Sequence, residues 1–282
     1  MKNIGFYVKR GSPEAGAAAR QAVKWLDKNG CEAIFEQETS EEYDLPGGAS
    51  SEEFTKRCEI IVVLGGDGTF LAAARVAAAK AIPIAGVNLG GLGYLTETTI
   101  EEMPEILDLI CSDRAEYEER DLFDVLVECE RRKECFRVLN DVVITKSAMA
   151  RVINLQVSIG DEIITNMLAD GIIVSTPTGS TAYSMSAGGP ICHPSVKAII
   201  LTPICPHMLA NRPLIMPGSV RLRIELVRGG ESFVTMDGQV GMEFNVGDYV
   251  EVGRSESTLK FFRNPNRTYY QTLRDKLRWG KR

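Results

Sequence analysis

Glu59-Ile60-Ile61-Val62-Val63-Leu64-Gly65-Gly66-Asp67-Gly68-Thr69 is the stretch on which the fold of the first part of this chain turns. Its β-branched run is short and ends on glycine, which reads as a strand buried on both faces. The alanine-rich Phe70–Lys80 follows as a helix and Ile84–Val87 as the next strand. The alternation also runs back toward the start. Glu32–Phe35 reads as a strand. Before it, Ser12-Pro13 supplies an N-cap and a proline for the first helical turn, Ala17–Leu26 continues that helix, and Gly30 stops it. Ile4–Val8 is the first strand, rather than the apolar core of a signal peptide. Ser40–Ser51, with Pro46-Gly47-Gly48, reads as a surface loop, and Glu101–Ile110 as the last helix of this region. Alternating β and α predicts a parallel sheet with helices on its faces.

The texture changes near residue 117. From there to about residue 263 short strands dominate, among them Val125–Cys129, Val142–Ile144, Asn154–Ile159, Gly171–Ser175, Arg221–Val227 and Tyr249–Val252. Turn pairs such as Gly160-Asp161 and Gly247-Asp248 separate them, a spacing that favours a β-sandwich or related all-β layer. One helix is expected near Ser180–Ala187. The tail Tyr269–Trp279 sets Tyr270, Leu273 and Leu277 on one helical face and is expected to pack back on a domain. The fold class is thus an α/β N-terminal domain with a parallel sheet, followed by an all-β, sandwich-like C-terminal domain.

A chain of 282 residues has room for about two such domains. With 44% hydrophobic and 25% charged residues it is neither a disordered tail nor a collagen. Its 32 basic and 38 acidic residues give a net charge of −6, without the positive field that non-specific nucleic-acid binding requires. Seven cysteines with no CxxC pair, and only His193 and His207 beside them, make neither a disulfide framework nor a zinc site. No stretch is long and apolar enough for a membrane span. The expectation is a soluble cytoplasmic protein with reduced thiols.

Four segments could carry chemistry. Gly65-Gly66-Asp67-Gly68-Thr69 ends a strand and opens a helix. Glycines there let backbone N–H groups approach phosphate oxygens, and the helix adds a positive dipole end. Asp67 stands within that phosphate loop, where a carboxylate is repelled unless it holds a metal or takes a proton from an attacking hydroxyl. The lysine of a Walker loop is missing, and the spacing is not GxGxxG. Asn88-Leu89-Gly90-Gly91-Leu92-Gly93-Tyr94 offers a second glycine loop after a strand. Asp170-Gly171 and the run Thr176-Pro177-Thr178-Gly179-Ser180-Thr181-Ala182-Tyr183-Ser184-Met185-Ser186 crowd hydroxyls, small side chains and a tyrosine. Hydroxyls can donate to ligand oxygens and tyrosine can stack on a ring. Asn140-Asp141 could hydrogen-bond a base edge or a ribose diol.

These elements occur in the order found in bacterial NAD kinases, which the chain resembles over about residues 60–240. The Gly-Gly-Asp-Gly element is shared with phosphofructokinases and lipid kinases, whereas Thr-Pro-Thr-Gly-Ser-Thr-Ala-Tyr is far more specific. Thr202–His207 and Asn211-Arg212-Pro213 also look like that family. The resemblance implies transfer of the ATP γ-phosphoryl group to the 2′-hydroxyl of the adenosine ribose of NAD, giving NADP, with Mg²⁺ or another divalent metal on the ATP oxygens; it leaves the metal ligands unknown. It implies Asp67 as the proton acceptor and Gly68 against the dinucleotide. Asn140, Asp141, Asp170, Thr181, Ala182, Tyr183, Ser184, Met185, Ser186 and Gln239 match further NAD contacts. Arg151 falls where some members have a basic or polar contact, and Leu168 stands where some carry arginine. The family's architecture implies an N-terminal domain of residues 1–116 joined by the tail 265–282, a C-terminal domain of residues 117–264, and a homodimer or homotetramer. Two rivals remain at this point: another kinase with the same glycine loop, acting on a sugar phosphate or lipid, and a non-catalytic dinucleotide-binding sensor.

Overall fold

A computed structural model describes residues 2–91, 93–130, 132–208 and 210–280. Two units make up the chain: residues 1–119 with 259–282, and residues 120–258. The family resemblance had drawn these boundaries at 116/117 and 264/265.

The first unit runs β1 (Asn3–Val8), α1 (Pro13–Lys28), β2 (Glu32–Glu36), α2 (Gln37–Tyr43), β3 (Gly48–Ala49), α3 (Ser51–Arg57), β4 (Ile60–Leu64), α4 (Asp67–Lys80), β5 (Ile84–Asn88), β6 (Thr98–Thr99) and α5 (Met103–Cys111). Its strands lie parallel in the order β5-β4-β1-β2-β3. β4 is buried at all five positions, as its unbroken apolar run requires. Ser12 caps α1 by accepting from the Ala15 N–H, and Pro13 opens the helix. The small face of α1, Ala15, Ala18, Ala19 and Ala22, lets that helix close on Ile4, Phe6 and Val62. The chain leaves β1 in one direction to β2 and returns on its other side with β4. That reversal creates a crevice at the carboxyl ends of β1 and β4, where open α/β sheets bind ligands.

The segment Ser40–Ser51 is not the plain loop its turn residues predict. It contains the end of α2, the short β3 and the start of α3, whose Ser50 cap accepts from Glu53 N. Gly47 does adopt φ 76°, so the turn chemistry was read correctly but extended too far.

The second unit takes in β7 (Tyr117–Cys129) from residue 120 on, β8 (Arg132–Val138), β9 (Asp141–Lys146), β10 (Ile153–Ile159), β11 (Glu162–Ala169), β12 (Gly171–Ser175), a 3₁₀ turn (Thr178–Thr181), α6 (Tyr183–Ser186), β13 (Ala198–Ile204), β14 (Leu214–Pro217), β15 (Arg221–Arg228), β16 (Ser232–Met236), β17 (Val240–Phe244) and β18 (Tyr249–Phe262) as far as residue 258. One antiparallel sheet has the order β14-β13-β12-β9-β16-β17. β11-β10-β15-β18 forms a second antiparallel layer. Ile144, Ile172, Val174, Ile199 and Val234 of the first pack with Leu155, Val157, Ile224 and Val252 of the second into one core, the two-layer arrangement expected. β11 and β14 escape a sequence reading because the exposed Ile163, Leu168, Leu214 and Ile215 blur their alternation.

The tail forms α7 (Tyr269–Leu277), started by a capping box between Thr268 and Gln271. Leu273 is buried, but Tyr270 is exposed, so the packed face is narrower than the helical spacing suggested.

Candidate active site

The glycine loop of the first unit has the geometry its residue types demand. Gly66 caps α4 in an extended conformation, and Asp67 is the first helical residue. A Cβ on Gly65 would lie 2.6 Å from Thr69 Oγ1, so the turn needs glycine there. Gly66 and Gly68 have nothing within 4 Å of such a Cβ, leaving open space beside the helix N-terminus.

Asp67 is half-buried, and its carboxylate binds the second glycine loop. Tyr94 N donates to Oδ2 at 2.9 Å, while Leu95 N, Thr96 N and Thr96 Oγ1 donate to Oδ1 at 3.1, 3.1 and 3.0 Å. A Cβ on Gly93 would stand 2.1 Å from Asp67 Oδ1 and displace the carboxylate. Asn88 ties the loop's other end, donating to Thr96 Oγ1 at 2.6 Å and accepting from Gly90 N at 2.8 Å. Leu92 lies outside the described residues. The two glycine loops, separate candidates in the sequence, are joined through Asp67. Oδ1 takes three donors and Oδ2 one, so Oδ2 keeps an acceptor position for an incoming hydroxyl.

Beside this loop lies a cavity of about 740 Å³ at the carboxyl ends of β1 and β2. Lys9, Arg10, Thr39 and Ser50 line it with Gly68 and Thr69. Arg10 is already engaged by Glu38 and Glu42, whereas Lys9 has no ion pair among the described residues. The volume suits a nucleotide-sized ligand. Sequence reasoning missed the residues after β1; the signal was a basic pair, Lys9-Arg10, directly after a strand.

In the second unit the candidates fall into two groups at opposite ends of β12. Ser175 pairs with Asp141 in the register of β12 and β9, so Asn140, Asp141 and the Thr176–Thr181 turn gather at one end. Gly171 pairs with Thr145 and Ile204 and lies four strand rises, roughly 13 Å, from Ser175, which puts the preceding Asp170 at the other end. Arg151 joins that far group: it precedes β10, whose Ile153 pairs with Ala169, and it lines a cavity of about 510 Å³ with Asn154, Leu168 and Arg228. Asp170 Oδ1 lies 3.8 Å from Lys146 Nζ, a partner the sequence reading did not single out. Ser184 Oγ meets Thr202 Oγ1 at 2.9 Å, and Thr202 pairs with Ile173, so α6 lies over the middle of the strand pair.

Most hydroxyls of the Thr176–Ser184 run are used by the chain itself. Thr176 Oγ1 donates to Leu139 O at 2.6 Å and accepts from Gly179 N at 3.0 Å. Ser180 Oγ donates to Pro177 O at 2.7 Å and accepts from Cys192 N at 3.0 Å. Thr181 Oγ1 donates to Thr178 O. A Cβ on Gly179 would be 2.1 Å from Asn140 O, so the turn packs against that residue's backbone. The run is chiefly a scaffold that fixes Asn140. Ala182 and Met185 are half-buried, and Tyr183 and Ser186 are exposed, Tyr183 at 47%, which leaves it available for stacking.

Asn140 and Asp141 are buried, and Asn140 Oδ1 has no hydrogen-bond partner. An unpaired buried acceptor is unfavourable and can take a donor from water or from a ligand. Burial, and secondarily the neighbouring Asp237 charge, push the Asp141 carboxyl up to about 7. Gln239 is exposed two residues after Asp237. No cluster of three His, Cys, Asp or Glu residues that could hold a metal occurs among the described residues. No helix among them is long and apolar enough to cross a membrane.

Residues 4–115 match the model of the ATP-NAD kinase N-terminal domain, and residues 139–264 that of the ATP-NAD kinase C-terminal domain. NAD kinases of Trichlorobacter lovleyi and Geobacter sulfurreducens are 40% and 41% identical, each alignment covering 100% of both chains. Among solved structures, yeast NADH kinase complexed with NADH matches with a TM-score of 0.93 and 26% identity, covering 100% of this chain and 89% of that one. An NAD kinase from Archaeoglobus fulgidus in complex with ATP shares the fold, with a TM-score of 0.78, 24% identity and 99% coverage of both chains.

Proposed function

The chain belongs to the NAD kinase family, a phosphotransferase acting on NAD, and on that premise we propose how its residues divide the reaction. The acceptor is the 2′-hydroxyl of the adenosine ribose of NAD, and the donor is the γ-phosphoryl group of ATP. Asp67 accepts the hydroxyl proton on Oδ2 as the oxygen–phosphorus bond forms and the bond from the γ-phosphorus to the bridging oxygen breaks, with ADP as the leaving group. The observation that carries this reading is the single open acceptor position on a carboxylate otherwise held by four hydrogen bonds. A base fixed by its neighbours needs no reorganisation when the hydroxyl arrives.

Donor phosphates lie against the start of α4, in the cavity lined by Lys9, Gly68 and Thr69. The glycine positions and the helix dipole suit phosphate oxygens, and Lys9 supplies a charge. Mg²⁺ suits a donor that carries it. It typically binds through phosphates and water with one or two carboxylates. When bound, it neutralises charge on the phosphate oxygens.

NAD itself is held by the second unit. Asn140 and Asp141 meet donors of the adenosine, Tyr183 stacks, Ala182, Met185 and Ser186 line its path over α6, and Asp170 and Arg151 meet the far end. A dinucleotide is the kind of ligand that uses contacts at both ends of a strand. Cytoplasmic location and a homodimer or homotetramer complete the reading. No observation here favours a sugar-phosphate kinase, a lipid kinase or a sensor.

The test is purified protein with Mg²⁺, NAD and either ATP or polyphosphate, the product read with an NADP-specific dehydrogenase, and NADH run as the alternative acceptor. NADP formation dependent on ATP is expected. NAD binding without any product from either donor contradicts the proposal.

A further inference from the structure

The turn between β16 and β17 carries a carboxylate that the reaction scheme above does not use. Asp237 and Gly238 both have positive φ, 52° and 62°, and Gln239 N donates to Met236 O at 3.0 Å, a tight turn that favours Asp-Gly within the three-residue connection between the strands. The turn throws the Asp237 side chain onto the junction of β8 and β9. There Oδ1 accepts from Asn140 N at 2.6 Å and Asp141 N at 3.2 Å, and Oδ2 accepts from Leu139 N at 3.1 Å. Asp237 N in turn donates to Asp141 O at 2.9 Å. Asp237 is itself 8% exposed, so these bonds form away from water, where each is worth more and its loss is felt more.

We propose that Asp237 is a positioning residue for the acceptor substrate: by gripping three successive backbone N–H groups it fixes the direction of the Asn140 amide and the Asp141 carboxyl. The inference rests on the reading that this pair contacts NAD. Asp237 touches the pair's backbone, and it acts on NAD only through them.

The burial of Asp141, with the Asp237 charge beside it, makes NAD capture sensitive to pH. The elements packed on Asp141 are β12, which offers Ser175, the Thr178–Thr181 turn, which offers no ionisable group, and the β16–β17 turn, which offers Asp237. Burial is the first cause of Asp141's raised pKa and the Asp237 charge the second, with no cation among the causes. A carboxylate makes a stronger hydrogen bond to a ribose hydroxyl or adenine amine than a carboxylic acid does. Specificity for NAD therefore rises with pH as Asp141 ionises near 7.

The experiment measures kcat, KM for NAD and KM for ATP from pH 5.5 to 8.5 in wild type, Asp237→Asn, Asp237→Glu and Asp141→Asn. Wild type should show an acid limb in kcat/KM for NAD, absent from Asp141→Asn. In Asp237→Asn the limb should move down by roughly one unit because a like charge is gone. KM for NAD should rise at least about tenfold, with KM for ATP within about twofold, because misdirected side chains lose a hydrogen bond. Asp237→Glu keeps the charge but displaces the grip: its limb should stay while KM for NAD rises. This variant carries the test if Asp237→Asn does not fold. A general structural defect would move both KM values and leave the limb in its place. If Asp141→Asn leaves KM for NAD and the pH profile unchanged, the reading of the pair fails. If Asp141→Asn impairs NAD use but both Asp237 variants keep wild-type KM and limb, the positioning role is overturned.

Discussion

Asp67 in the first unit and Asp237 in the second both collect N–H groups from a neighbouring loop, yet their surroundings give them different work. Asp67 is half-buried at a helix start and leaves Oδ2 partly open. Asp237 is buried, and the hydrogen bonds it accepts come from the segment that carries Asn140 and Asp141. One carboxylate is held so that it can receive something; the other does the holding. Asp141 is the third case, buried without such donors, and its carboxyl is accordingly pushed up to about 7. Residue type alone does not distinguish these roles, but donor count and exposure do.

The largest effect expected from breaking this comparison is at the glycines. Gly179→Ala places a methyl 2.1 Å from the backbone oxygen of Asn140, with that residue's carbonyl carbon and Cα at 2.5 and 2.7 Å. It should lower unfolding free energy by at least about 5 kcal/mol, or prevent folding, as read by urea denaturation. Asp141→Asn comes next, and it acts through pH. Because the folded carboxyl titrates near 7 against 3.8 in its ordinary state, wild type has that group's full stabilisation below about pH 4 and loses it as pH rises through 7. The Asn variant lacks this loss. Its stability relative to wild type should grow between pH 4 and pH 8 by on the order of 4 kcal/mol, at 1.36 kcal/mol per unit; an equal difference at both pH values would contradict the burial argument. Gly93→Ala meets a side chain, Asp67 Oδ1, that can shift. It should cost only about 1–3 kcal/mol of stability but reduce kcat more than Gly179→Ala does in whatever fraction folds. The smallest effect is Thr96→Val, which removes one donor to Asp67 and the acceptor for Asn88. A loss of about 1–2 kcal/mol in the melt, with a kcat drop of only a few-fold, is expected.

Much of this was legible beforehand, and the exceptions have physical causes. The buried run Ile60–Leu64 and its glycine ending announced the parallel sheet and the loop after it, because both depend on local patterning. The link between Asp67 and Thr96 was not legible, since it joins residues 29 apart through backbone donors that any sequence possesses. Asp237 was hidden behind Gln239: Asp-Gly between two short apolar runs signals a hairpin, but nothing in the turn says where its carboxylate points. The hydroxyl-rich run has a second role that its sequence does not show. Thr176, Ser180 and Ser184 look like ligand donors in sequence and turn out to bond the chain's own carbonyls and hydroxyls. β11 was not legible either, because exposed apolar residues such as Ile163 and Leu168 blur its alternation.

The central claim is that Asp67 receives the proton of the attacking hydroxyl, as well as fastening two loops together. Asp67→Asn tests it most directly when turnover and NAD affinity are measured on one preparation, the second by calorimetric titration. The account predicts kcat lower by at least about a hundredfold with the dissociation constant for NAD within about threefold of wild type. Turnover within about threefold of wild type in that variant would contradict it, leaving Asp67 a structural clasp and the proton acceptor elsewhere.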